Sequence, residues 1–97
     1  MVIIIHNSYF TIIETGLISR DPSTRVKKEA LTKTFEINSI APLLVSQNFV
    51  PLMEKRSDVL YPFFAFLSSK VGSVDDNGSG GAYAYRSSKS ALNNIFK

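Results

Sequence analysis

Tyr85 and Lys89 stand four residues apart in Tyr85-Arg-Ser-Ser-Lys89, and Ser69 lies upstream in Leu67-Ser-Ser-Lys-Val-Gly72. Residues four apart on a helix project from one face, so this spacing sets an ammonium beside a phenol. A free phenol titrates near pH ~10 and is a poor acid or base at neutral pH. A nearby cation favours the phenolate and makes the group a usable proton donor and acceptor. A serine hydroxyl at the same point can hold a substrate oxygen. Together the three suit moving a proton on and off a carbonyl or alcohol oxygen.

A tyrosine and a lysine at this spacing can also be a plain amphipathic pair, so the flanking elements matter. Residues 63–67 form a continuous apolar run that reads as a buried strand ending at Ser68-Ser69. Residues 72–81 are polar and glycine-rich, and residues 82–96 read as a helix. Strand end, serine, loop and helix thus follow in the order of an α/β active site, where ligands bind at the carboxyl ends of parallel strands.

Upstream, residues 2–5 read as a short buried strand and residues 6–20 as an irregular connection turning at Gly16. Asp21-Pro22-Ser23 supplies an N-cap and a proline suited to a first helical turn. Apolar residues then recur at helical spacing from Val26 to Met53, which predicts a helix of roughly thirty residues with a core-facing stripe. Pro42 and Pro51 should bend or interrupt it, because each lacks a backbone donor. Asn38 falls one turn before Pro42, where freed carbonyls could hold a water. Ser57-Asp58 begins a turn, Pro62 opens the second strand and Ser69 closes it. Strand, helix, strand, helix predicts a parallel sheet by the crossover rule.

Three blocks carry a family resemblance: Phe35-Glu-Ile-Asn-Ser-Ile-Ala-Pro-Leu-Leu44, Leu67-Ser-Ser-Lys-Val-Gly-Ser73 and Gly81-Ala-Tyr-Ala-Tyr-Arg-Ser-Ser-Lys-Ser-Ala-Leu-Asn93. With them the chain resembles the second half of a short-chain dehydrogenase/reductase domain, in its carbonyl-reductase-like (C-factor/sniffer-like) branch. The likeness runs over residues 2–97. It implies an α/β fold: a partial Rossmann-like, doubly wound parallel-sheet domain of which only the central βαβα portion is present. It also implies an NAD(P)-dependent oxidoreductase that reduces a carbonyl or oxidises an alcohol, NADP being expected and NAD the alternative.

Carried over by position, Ser69 would orient the substrate oxygen and Tyr85 would be the acid/base. Lys89 would activate the Tyr85 phenol and bind the nicotinamide ribose, and Asn38 would hold a water linking the lysine to solvent. Asn7 would contact the cofactor from His6-Asn-Ser-Tyr9, the counterpart of the family's Asn-Asn-Ala-Gly. The family also implies a homo-oligomer formed through the long helix and the Tyr85 helix. Two departures stand out. Tyr9 replaces a glycine, and Asp75-Asp-Asn-Gly-Ser-Gly80 lengthens the interval between Ser69 and Tyr85.

The sequence contains no Gly-x-x-x-Gly-x-Gly turn. The resemblance therefore makes the chain a fragment or a truncated gene model, lacking the N-terminal glycine-rich cofactor half and the C-terminal substrate part. No reductase activity is expected of it alone. The rival reading is a non-enzymatic remnant or pseudoenzyme that keeps only a helix-pairing surface.

Composition narrows the remaining classes. A chain of 97 residues with 44% apolar content is at most one domain, and globular rather than disordered. Without cysteine there is no disulfide framework and no thiolate metal site, and no metal is expected. The net charge of +3 is dispersed, with no basic run interleaved with aromatics, which argues against nucleic-acid binding. The apolar stretch at residues 2–5 is too short for a signal-peptide core or a membrane span, so a soluble, cytosolic protein is expected. His6 has no partner in sequence and reads as a packing or surface residue. Gly78-Ser-Gly-Gly81 reads as a flexible linker, and Tyr83 lies off the Lys89 face.

Overall fold

A computed structural model describes the backbone of Val2–Ile5, residues 25–55, residue 58 and residues 63–97. The expectations for His6, Asn7, Tyr9, Gly16 and the Asp21 cap lie outside these residues. Within them the elements are β1 (Val2–Ile5), α1 (Lys28–Phe35), a π-helical turn (Glu36–Ile40), α2 (Ala41–Glu54), β2 (Phe63–Phe66), a 3-10 turn (Lys70–Gly72) and α3 (Tyr83–Ile95). The two strands pair in parallel, Val2 opposite Phe63 and Ile5 opposite Phe66. Parallel partners cannot be joined by a hairpin and need a long crossover, which here contains the α1–α2 helix.

The anticipated long helix is real, but its middle is π-helical. Pro42 cannot donate to the Asn38 carbonyl, and its ring would crowd that carbonyl in a regular α-turn. The chain widens instead, and the Ala41 N–H reaches back five residues to the Glu36 carbonyl. Pro42 itself sits in the first turn of α2, where its missing N–H does little harm, and Pro51 lies inside the same helix.

The expected core stripe is only partly buried: Met53 is buried and Val26, Ala30, Leu31, Phe35, Ile37, Ala41 and Val45 are half-buried, while Ile40, Leu44 and Phe49 are exposed. Leu44 is 53% and Leu52 57% exposed, and Leu43 is exposed with them. The buried positions of the long helix are Thr34, Asn38, Ser39, Pro42, Ser46 and Met53, and all but Ser39 fall on one stripe. Small and polar side chains let α3 approach closely, and the buried hydroxyls bond to nearby helix carbonyls. Thr34 Oγ1 donates to Ala30 O at 2.7 Å, and Ser46 Oγ donates to Leu43 O at 2.6 Å. Met53, Ala84 and Leu92 are the buried apolar residues among those described. Nor is β2 the buried strand anticipated, for Phe63 and Ala65 are exposed while Phe64 and Phe66 are half-buried. Phe66 stacks on Phe96 beyond the end of α3, which pins the strand to that helix.

Residues 73–81 form defined turns rather than a featureless linker. Asp76 N–H donates to Ser73 Oγ, Gly80 N–H to Asn77 Oδ1, and Arg86 Nη2 to Ser79 Oγ. Gly80, Gly81 and Ala82 then follow one another at φ of 67°, 70° and 48°. Two glycines accept this left-handed backbone easily, whereas Ala82 holds it at a cost. The resulting reversal launches α3, whose first turn has no side-chain cap.

Gly72 is where the 3-10 turn meets α3. A Cβ there would lie 2.9 Å from the Lys89 carbonyl carbon and 2.9 Å from Asn93 Nδ2. Ser90 Oγ donates to the Gly72 carbonyl at 2.6 Å across the same contact. The helix backbone cannot yield cheaply, so Gly72→Ala should cost roughly 1–3 kcal/mol of stability, the usual range for overpacking. Chemical denaturation measures it, and an unchanged midpoint would show that the turn and α3 do not pack this way.

Candidate active site

α3 sets Tyr85 and Lys89 on one face, and Lys89 Nζ lies 5.8 Å from the Tyr85 ring centroid. The lysine is 1% exposed. Its Nζ donates to the Leu67 carbonyl at 3.1 Å, just beyond the carboxyl end of β2. Burial pushes the Lys89 ammonium below its ordinary value, because desolvation penalises the charged form. The strand end thus holds a lysine against the ring of the tyrosine expected to exchange protons.

Ser69 follows two residues after Leu67, in extended backbone at φ −144° and ψ 148°. Its Oγ accepts from Val71 N–H at 3.4 Å and so caps the 3-10 turn. A hydroxyl that accepts there keeps its hydrogen for a substrate oxygen. Its neighbour Ser68 donates to Asn93 Oδ1, tying the strand end to the far part of α3.

Asn38 comes to α3 from the π turn and is fully buried. Its Nδ2 donates to Ser88 Oγ at 3.1 Å, so it joins the group at the residue beside Lys89. The structure therefore gathers Tyr85, Lys89 and Asn38 around one turn of α3. Ser69 lies two residues beyond the Leu67 carbonyl that Lys89 grips, and its hydroxyl is engaged with the Val71 N–H of the 3-10 turn. Asn7 lies outside the described residues.

Sequence reasoning passed over Ser39, Ser88 and Gly72. The polar pair Asn38-Ser39 inside an apolar helix, four and three residues before a proline, was the available signal for the first. Nothing in the local sequence distinguishes Ser88 from Ser87. Ser87 Oγ turns back to the Tyr83 carbonyl, whereas Ser88 faces the interior. Tyr83 opens α3 and, with Val71, Val74 and Arg86, lines a separate cavity of about 200 Å³. Among the described residues no group of acidic, histidine or cysteine side chains could hold a metal, and no helix is long and apolar enough to cross a membrane.

The family resemblance would place the ribose end of a nicotinamide dinucleotide at this donor set. The set offers a buried primary ammonium and a neighbouring phenol at the carboxyl end of a parallel strand. Lys89 and Tyr85 would hold that sugar, and no Gly-x-x-x-Gly-x-Gly turn for a pyrophosphate occurs among the described residues.

Comparison with known proteins points the same way. The chain is 32% identical over 80 residues to 1-hydroxy-2-glutathionyl-2-methyl-3-butene dehydrogenase of Rhodococcus sp. (strain AD45), covering 82% of this chain and 33% of that protein. It is 40% identical over 63 residues to C-signal of Myxococcus xanthus, covering 65% of this chain and 36% of that protein. The chain thus spans about a third of the length of the curated relatives it matches. No family model matches it, and no solved structure does. The similarity to a dehydrogenase agrees, loosely, with a short-chain dehydrogenase/reductase relationship.

Proposed function

We propose that this chain carries the proton-transfer segment of an NADP-dependent oxidoreductase of the short-chain dehydrogenase/reductase type, acting between a carbonyl and its alcohol. The observation that carries the reading is Lys89: a lysine almost wholly buried, bonded to a strand-end carbonyl and set against the ring of Tyr85. Burying an ammonium is costly, and such groups concentrate at sites of chemistry. The parallel strand pair and its helical crossover support placing the chain within a doubly wound sheet. A cytoplasmic setting is part of the same proposal.

The nicotinamide, when bound, supplies the hydride. The chain's own residues do the rest. Ser69 donates a hydrogen bond to the substrate oxygen and fixes it beside the phenol. Tyr85 gives that oxygen a proton in reduction and takes it back in oxidation. Lys89 keeps positive charge beside the phenol as it turns to phenolate and back, and holds the ribose. Asn38, lodged in the π turn ahead of Pro42, serves the water that would return protons to Lys89.

The test uses the full gene product. Tight, saturable NADPH binding by fluorescence, with NADPH oxidation dependent on an aldehyde or ketone, is the expected result. No binding and no turnover across the panel would reject the reading in favour of a non-enzymatic remnant.

The open apolar face of the long helix supports pairing with a second copy of the chain. Ile40, Leu43 and Leu44 are 47%, 36% and 53% exposed on one side of it and Phe49 is 44% exposed on another, and exposed apolar surface can mark interaction sites. Sedimentation should find a dimer that Leu44→Lys dissociates. A parent protein that stays monomeric at high concentration would reject the pairing.

A further inference from the structure

The helix interface buries a hydroxyl that the proton chemistry above does not use. Ser88 is fully buried, three residues after Tyr85 and one before Lys89. Its Oγ donates to the Tyr85 carbonyl at 2.8 Å. A carbonyl can only accept, so the serine hydrogen is fixed in that bond and its lone pairs remain for Asn38. Asn38 must then present its amide N–H there, and Nδ2 stands 3.1 Å away. Ser39 Oγ donates to the Ser88 carbonyl at 2.7 Å. Two consecutive residues thus hold the side chain and the main chain of one. Both residues lie in the widened π turn.

We infer that Ser88 is a positioning residue for Tyr85. It couples the π turn to the Tyr85 main chain and so fixes where the phenol stands over the strand end. This rests on Tyr85 being the acid/base. The group is closed on itself, since Ser88, Asn38 and Ser39 are each at most 1% exposed. Hydrogen bonds in such surroundings hold geometry more firmly than they do at a wet surface.

The experiment compares Ser88→Ala and Ser88→Thr in the full gene product. It reads kcat, carbonyl KM, NADPH affinity, Tm and the exchange of the Asn38 side-chain amide by nitrogen-15 NMR. Ser88→Ala should lower kcat about tenfold, the rate effect of roughly one hydrogen bond's worth of misplacement. KM and NADPH affinity should hold, and the Asn38 amide should exchange faster. Threonine keeps the oxygen and can make the same bond to a helix carbonyl, but adds a methyl to a closed space. Ser88→Thr should therefore lose more Tm than Ser88→Ala while keeping kcat near the parent's. That inversion distinguishes positioning from bulk stability.

Parental kcat and unchanged Asn38 exchange in Ser88→Ala, with Tyr85→Phe inactive, would overturn the inference and leave the acid/base reading intact. So would kcat losses that simply track Tm in both variants. If Tyr85→Phe itself keeps full turnover, the acid/base reading fails and the positioning role falls with it.

Discussion

Tyr85→Phe is expected to lower kcat of the full gene product by about 10²–10⁴-fold, the range general acid–base groups supply. NADPH affinity should stay nearly intact. The substitution removes one oxygen and leaves the ring, which keeps its place beside Lys89 Nζ at 5.8 Å from the centroid. The backbone around it is also unaltered, because the Ser88 bond is made to the Tyr85 carbonyl. A loss confined to kcat marks an interaction made in the transition state rather than in binding. Turnover comparable with the parent's would remove Tyr85 from the chemistry.

Lys89→Met should separate activity from stability. Turnover and NADPH affinity should fall together, because one ammonium serves both the phenol and the ribose. Thermal stability should hold or rise. Methionine fills much the same space without a charge to desolvate, and replacing buried charges with apolar groups is often neutral or stabilising. The Leu67 carbonyl loses its bond to Nζ, but Leu67 is exposed and water can take the lysine's place.

The pH dependence has a definite sign. The fold lowers the Lys89 pKa below 10.5, so below the folded-state value both folded and unfolded chains are protonated and the burial cost is complete. As pH rises from that value toward 10.5, the folded protein releases a proton that the unfolded chain retains. Stability then rises with pH through this window. The parent should gain on Lys89→Met over that interval when unfolding free energies are compared. A parent that loses ground there would contradict the burial of a costly ammonium. A variant much less stable at neutral pH would make Lys89 a structural lysine.

The pairing of Tyr85 with Lys89 was legible because helical periodicity alone decides it, and the structure starts α3 within one residue of the expected boundary. Strand β2 was legible from its apolar run, and Ser69 from its place after it. What the sequence hid was the direction in which the long helix faces. Its apolar stripe suggested a core face, yet of that stripe only Met53 is buried, and the rest of the burial falls on small and polar residues such as Thr34, Asn38 and Ser46. Close helix packing favours small side chains there, and hydroxyls bond their own helix carbonyls at little cost. A periodicity count cannot see which of two faces a neighbour will cover. The π turn was half visible, since Pro42 announces a disturbed carbonyl but not whether the chain kinks or widens. Gly72 looked like ordinary loop glycine until the α3 backbone came within 2.9 Å of where its Cβ would be.

The central claim is that this strand end and helix serve hydride exchange at a carbonyl. The most direct measurement follows the hydride itself. The full gene product is incubated with NADPH deuterated at C4 of the nicotinamide, on the transferred face, and with an aldehyde or ketone substrate. Mass spectrometry of the alcohol should find one deuterium on the former carbonyl carbon, formed by the parent and lost with Tyr85→Phe. An alcohol without deuterium, or no alcohol from any carbonyl offered, would contradict the account.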